Sequence, residues 1–371
     1  MKKTLAAVAV LGAFAGSALA ADVTLYGRVD LGLQYMHQDN KGEKTDNWGL
    51  QSGDATSSRF GIKGQEEIAE GVIVGFQLEH GFNADDGTDA DSSKAFSRES
   101  RLFVTTDYGT LHMGRFGALD SGTGSVDVTA GFTASGTGYG ENILDQGRVL
   151  KTYSRLDNSV AYTSPEFAGL TFHAMASLGQ TGYSIEDDGT WVEPEADEGT
   201  SDIDRYYGLG VTGQWGNFGA GFVVSQVDRG HVQSDLYDDD STNVTASVNY
   251  DFGVAKAFLA ANYYKGGEVL DDVKTADVEA EDYSQWGVSL SVAAPIAGGT
   301  LESGIGYAKG QDDAAASGED ETKIFNVGVM YKYPLSKRTY VYAGAGYDQV
   351  EDFDGEKIKT TEVISGLVHQ F

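Results

Sequence analysis

Apolar and polar residues alternate through most of this chain. In "VTLYGRVDLGLQY", Val23, Leu25, Val29, Leu31, Leu33 and Tyr35 fall on one parity, and Thr24, Arg28, Asp30 and Gln34 on the other. A period of two is that of a β-strand with one apolar and one polar face. The pattern recurs in "GVIVGFQLEHGF", "GLTFHAMASLG", "RYYGLGVTGQWG", "NVTASVNYDFG", "AKAFLAANYYKG", "TKIFNVGVMYKY", "RTYVYAGAGYDQ" and the closing "EVISGLVHQF". No stretch sustains a helical period. The connections alternate in length. Short ones such as "TDYG", "SPEFAG", "WGN" and "YPLSK" separate long acidic segments near 36–57, 83–97, 118–151, 180–204, 228–242, 266–282, 309–321 and 348–361. Seven short turns and eight long loops join sixteen strands, so every long loop leaves the same end of an antiparallel sheet.

The two faces can be placed in two ways. A soluble sandwich points its apolar parity inward; an outer-membrane barrel points it outward to lipid. Loop asymmetry favours the barrel, and so do Arg28, Asp30, Arg59, Lys63, Gln77 and Glu79 on the polar parity, which suit a water-filled lumen. The expected fold is all-β, a 16-stranded antiparallel transmembrane β-barrel with short periplasmic turns and long external loops. That many strands enclose a channel rather than a packed core. Closure requires the last strand to pair with the first, because an open edge does not survive in hydrocarbon. "EVISGLVHQF" is that strand, with Val363, Leu367 and Phe371 on the lipid side and Phe371 at the periplasmic rim closing the barrel.

Composition adds location. The opening "MKKTLAAVAVLGAFAGSALAAD" reads as a signal peptide over residues 1–20, cut after Ala20, ahead of a barrel over 21–371. Without Lys2 and Lys3 the chain carries 24 basic against 56 acidic side chains, which excludes nucleic acid as a partner and attracts cations. There are no cysteines, so the fold holds without disulfides. Fifty glycines and twenty tyrosines set it apart from disordered acidic chains.

With these features the sequence resembles the trimeric general diffusion porins of Gram-negative outer membranes. "VTLYGRVDLGL", "SRFGIKGQEEIAEG", "GTLHMGRF", "RLDNSVAYTSPEFAGLTF", "YKYPLSKRTYVYAGAGY" and "GLVHQF" carry the likeness from end to end. The resemblance implies a third loop, here 118–151, folded into the barrel as a constriction. It places Arg59, Arg115 and Arg155 on a basic wall, with Asp120, Asp127, Glu141 and Asp145 as candidate acids opposite. Parity supports Arg59 but not Arg115, which shares its side with Leu111 and Met113 unless a bulge intervenes. The resemblance also implies a homotrimer in contact with outer-membrane lipid and lipopolysaccharide, passing small hydrophilic solutes and ions by passive diffusion. The loops depart from the family in being more acidic: 180–204 alone carries nine acids and no lysine or arginine. A mild cation preference is therefore expected.

Other signals carry less. "GLGVTG" at 208–213 matches a dinucleotide fingerprint but leads into no helix. "NVT" at Asn243 reads as a strand start rather than a glycosylation site, and the six histidines show no ligand spacing. No serine, histidine and acid form a nucleophilic pattern, so no enzyme activity and no cofactor are expected. The acidic runs "DDGTDAD", "EDDGTWVEPEADEGTSDID" and "DLYDDD" are solvated faces or loop sites for divalent cations that bridge to lipopolysaccharide. The alternatives are a substrate-selective channel and a structural or adhesin-like surface barrel.

Overall fold

Strand-forming β-branched and aromatic residues dominate the alternating runs, and each becomes one stave of a closed sheet. The computed structural model describes residues 23–180, 204–228, 240–266, 283–312 and 321–371, with the pairs 184–185 and 191–192. The expected signal peptide over 1–20 lies outside the described residues.

The barrel strands are β1 (Thr24–Asn40), β2 (in two halves, Glu43–Ser52 and Arg59–Ala69), β3 (Val72–Gly81), β4 (Glu99–Thr106), β5 (Gly109–Gly117) and β6 (Arg155–Thr163). They continue as β7 (Leu170–Gln180), β8 (Asp204–Trp215), β9 (Phe218–Asp228), β10 (Ser241–Asp251) and β11 (Lys256–Lys265). The last are β12 (Tyr283–Ile296), β13 (Gly299–Asp312), β14 (Glu321–Pro334), β15 (Thr339–Glu351) and β16 (Lys357–Gln370). Each pairs antiparallel with the next, and β16 returns to β1 from Arg28↔Gln370 to Asn40↔Ile358. The result is a closed 16-stranded barrel. Phe371 completes the seam: its N–H donates to Gly27 O at 3.0 Å and its carbonyl accepts from Gly27 N at 3.1 Å.

The faces are inverted relative to a soluble protein. Leu33 is 62 % and Leu209 61 % exposed on the outside, whereas Asp30 and Glu362 are fully buried on the lumen side. Exposed aromatics ring the short-turn end, among them Tyr108, Phe167, Trp215, Phe252 and Phe371. Tyr207, Tyr263 and Trp286 lie toward the other end, with Leu259, Leu290 and Val327 between. An apolar band between two aromatic girdles fits a bilayer and its interfaces.

Two expected loops turn out shorter. The segment 36–57 is mostly strand, because Lys41 and Gly42 both adopt positive φ (53° and 97°) and close a tight hairpin between β1 and β2. Such a two-residue turn needs positive φ at both positions, for which Gly42 is suited. The irregular stretch is 53–58, a break that leaves the sheet and splits β2. Likewise β15 runs to Glu351 and β16 starts at Lys357, so 348–361 reduces to a five-residue turn, 352–356. The long loop after β5 runs 118–154 and enters the barrel. It carries a 3-10 turn at Thr129–Gly131 and a short helix, α1 (Gln146–Leu150). Its apolar residues pack on the inner wall with Tyr206, Val223, Tyr264, Tyr283 and Ile324. One side of the lumen is thus filled by a hydrophobic core that strand parity did not reveal.

Candidate pore constriction

Between the inner loop and β2–β6 lies a polar cavity of ≈ 550 Å³. Its wall side holds Arg59 at the start of the second half of β2, Glu79 on β3, Glu99 on β4, Arg155 at the start of β6, and Arg98 just ahead of β4. Its loop side is almost wholly Gly, Ser and Thr, from Gly122–Ser125 and from Ser135 to Gly140. Asp54 and Thr56 of the β2 break complete it.

The wall is a charge network. Glu79 accepts from Arg98 Nε at 2.8 Å, stands 3.7 Å from Arg59 Nε, and accepts from Tyr26 Oη at 3.0 Å. Glu99 pairs with Arg101 at 3.4 Å and accepts from Ser125 N and Oγ of the loop, both at 2.7 Å. Arg28 donates to Thr56 Oγ1 at 3.1 Å. Arg155 keeps its Nε without a hydrogen-bond partner among the described residues. Three arginines, Arg59, Arg98 and Arg155, therefore line the cavity with three carboxylates, Asp54, Glu79 and Glu99, while Arg28 and Arg101 stand behind the lining. The loop contributes backbone and hydroxyls but none of those charges.

The structure brings Arg59 and Arg155 together but places Arg115 elsewhere. A register shift opposite Asp157 and Asn158 breaks β5–β6 pairing at Arg115, the bulge that parity required. Even so, its guanidinium donates to Ser97 O at 2.8 Å and to Asp157 Oδ1 at 2.7 Å, outside the cavity lining. Arg98 takes the remaining place. It precedes its strand, where alternation assigns no face, so sequence reasoning passed over it.

None of the four expected loop acids lines the cavity. Asp120 is buried and accepts from Tyr206 Oη (2.8 Å), Ser225 Oγ (2.5 Å) and Asn243 Nδ2 (2.9 Å), roping the loop's root to β8, β9 and β10. Burial pushes its carboxyl up, against the three donors. Asp127 accepts from Gly122 N and Thr129 Oγ1, both at 2.9 Å, and stitches the loop to itself. Asp145 caps α1 by accepting from Gly147 N at 2.9 Å, and pairs with Arg148 at 3.2 Å. Glu141 lies near Asp54 and Glu362, and partial burial with the Glu362 charge raises its carboxyl above the ordinary range. The resemblance set these acids opposite the arginines; in the fold Asp127 and Asp145 serve donors within their own loop, Asp120 serves donors on three distant strands, and Glu141 lies beside Glu362.

Asn243 of "NVT" is buried at this anchor, and "GLGVTG" runs through β8. Of the acidic runs, 85–91 is described: Asp86 accepts from Thr88 and Asp91 from Ser93, and these bonds hold both carboxyls below the usual range. The runs at 186–204 and 235–240 lie outside the described residues except for Trp191, Val192, Asp204 and Asp240.

A closed barrel with an apolar outer band, a charged inner wall and an in-folded loop defines a pore-forming outer-membrane protein. Residues 6–352 match the family model described as Gram-negative porin. The chain belongs to that family, and it is an outer-membrane porin. It is 28 % identical to an outer membrane porin protein of Bordetella pertussis, over 100 % of both chains. It is also 28 % identical to outer membrane porin protein 32 of Delftia acidovorans, covering 99 % of this chain and 95 % of that one. In structure it is similar to an anion-selective porin from Comamonas acidovorans, with TM-score 0.66 and 23 % identity over 95 % of this chain and 100 % of that one.

Proposed function

We infer that the protein is a general diffusion porin, a passive, non-enzymatic path for small hydrophilic solutes and ions. The observation that carries this is the polar cavity between the arginine wall and the Gly/Ser/Thr face of loop 118–154. A water-filled passage removes the cost of stripping a solute for transfer into hydrocarbon, and the charges lining its narrow part bias which ions enter. The relatives are named as porins, which supports a channel over the adhesin-like reading. The loop face lacks the aromatic or lysine cluster of a dedicated solute site.

The cation preference expected from the acidic loops gains no support here. Charges at the neck act through a low-dielectric wall, whereas loop carboxylates beyond a Debye length of about 8 Å are screened at physiological salt. Three arginines line the neck against Glu79, Glu99 and Asp54, whose carboxyl burial pushes up to about 7, so the neck favours anions while Asp54 is neutral, and the Comamonas porin is described as anion-selective. We assign the pore a weak anion preference that fades on dilution, as less screening brings the acidic mouth into play. A homotrimer fits the family; the solved OmpT of Vibrio cholerae, at TM-score 0.61 and 16 % identity, is described in a trimer form. Lipid and lipopolysaccharide would meet its outer band.

Reversal potentials in a KCl gradient test the reading. The wild type is expected to favour chloride, and Arg155→Ser to shift toward potassium with a higher conductance. A cation-selective wild type at high salt would show that the mouth outweighs the neck; absence of stepwise openings would reject a porin altogether.

A further inference from the structure

Loop 118–154 packs on the wall, and several of the barrel residues facing its apolar side, set among Tyr206, Val223, Tyr264, Tyr283 and Ile324, are glycines. Val128, Phe132, Ile143 and Val149 are at most 5 % exposed, on the side of the lumen that the loop fills with apolar residues. Each presses on a wall position that has no room for a side chain. A methyl group built on Gly210 of β8 would stand 2.9 Å from Val128 Cγ2, its one tight contact. One on Gly221 of β9 would meet the Phe132 ring. Val149 occupies the space over Gly287 of β12, and over Gly306 of β13 it shares that space with Asn326 of the wall: an added carbon would lie 2.6 Å from Asn326 Oδ1 and 2.9 Å from Val149 Cγ2.

The clearest seat is a pair. Gly328 on β14 and Gly346 on β15 are direct cross-strand partners, so together they open a notch two residues wide. Ile143 fills it: a methyl on Gly328 would lie 2.8 Å from Ile143 Cγ2, and one on Gly346 would lie 3.0 Å from Ile143 Cα. Glycine inside a strand weakens it, and the usual compensation is a close approach by other atoms. Here those atoms belong to the loop. Other wall glycines serve the wall itself. Gly344, two residues from Gly346, has Val329 O and Met330 as its nearest neighbours.

We propose that Gly210, Gly221, Gly287, Gly306, Gly328 and Gly346 are positioning residues of the pore, seats whose depth fixes how far the loop stands from the wall and so how wide the neck is. This rests on the reading that the loop and the arginine wall form the neck. The mechanics are those of close packing: an added carbon at these distances has no void to enter, so the loop must move toward the barrel axis. Val128 follows Asp127, which is bonded to Gly122, and Ile143 is bridged to Tyr139; displacement therefore reaches the two stretches that line the cavity.

Single-channel conductance tests it, with heat-modifiable migration as the check on folding. Gly210→Ala should lower conductance, because overpacking moves the loop inward and narrows one side of the pore. Val128→Ala should leave it at or above the wild-type value, and the double variant should restore it. Gly328→Ala with Ile143→Ala should behave the same way, and Gly344→Ala should change nothing. If either glycine variant fails to fold, recovery of folded protein and of wild-type conductance in its double variant supports the seat; no recovery in either pair overturns it. Normal conductance in Gly210→Ala and Gly328→Ala overturns the proposal while Arg155→Ser still alters the pore. If Arg155→Ser is silent as well, the placement of the neck is what fails.

Discussion

Asp54 gives the neck a charge that pH can switch. It sits in the break between the halves of β2, buried, with Glu362, Asp30 and Glu141 nearby. Burial first and these like charges second push its carboxyl up to about 7. Below that value it is neutral and the arginines dominate; above it the carboxylate is charged and offsets one of them. Reversal potential should therefore move toward cation preference as pH rises through about 7, and Asp54→Asn should flatten that step. A wild type with no inflection between pH 5 and 9, or a variant that keeps it, would remove Asp54 from the neck's charge balance. At this scale parity worked for Arg59, whose strand neighbours alternate. It gave no guidance for Arg98 or for the loop acids, which sit where no strand imposes a face.

The last strand shows what an element contributes beyond its contacts. β16 pairs with β15 on one side and β1 on the other, and Phe371 adds a final pair of hydrogen bonds to Gly27. Its ring also lies over Gly27, where an added carbon would come within 2.5 Å of Phe371 Cζ. Deleting Phe371 unpairs Gly27 at the membrane rim, where water satisfies backbone groups poorly. The folded, membrane-inserted yield should fall several-fold while total synthesis is unchanged, as read by immunoblot of outer-membrane fractions. Normal yield and normal heat-shifting from the truncated chain would show that the seam closes without it. The strands were legible because alternation is local. The loop at 36–57 was not, because its polar, acidic residues hide a hairpin that depends on the left-handed turn at Lys41 and Gly42.

For the whole molecule, closure has a mechanical consequence. Sixteen strands hydrogen-bonded in a ring leave no edge from which to unzip, so unfolding must break a complete seam. The extracted protein should resist SDS at room temperature and migrate as a compact oligomer, then collapse to a monomer band on boiling. A single unshifted band at both temperatures would count against a closed, trimeric barrel. The net charge of −30 belongs to this scale too: it governs what gathers at the mouth, not what passes the neck.

The sequence by itself determined the barrel, because a strand's two faces are fixed by parity alone and the lengths of its connections tell which end each loop leaves. It also determined that Arg59 lies on a strand turned to the lumen and that Phe371 ends the last strand at the rim. Tertiary structure decided the rest. Asp120 finds its donors on residues 86, 105 and 123 positions away, and nothing local distinguishes it from Asp127, which finds its own within five. The glycine seats belong to strands that read as ordinary strands until the loop lies on them. A loop carboxylate or a wall glycine has many possible partners, and only closure of the barrel around the loop selects one.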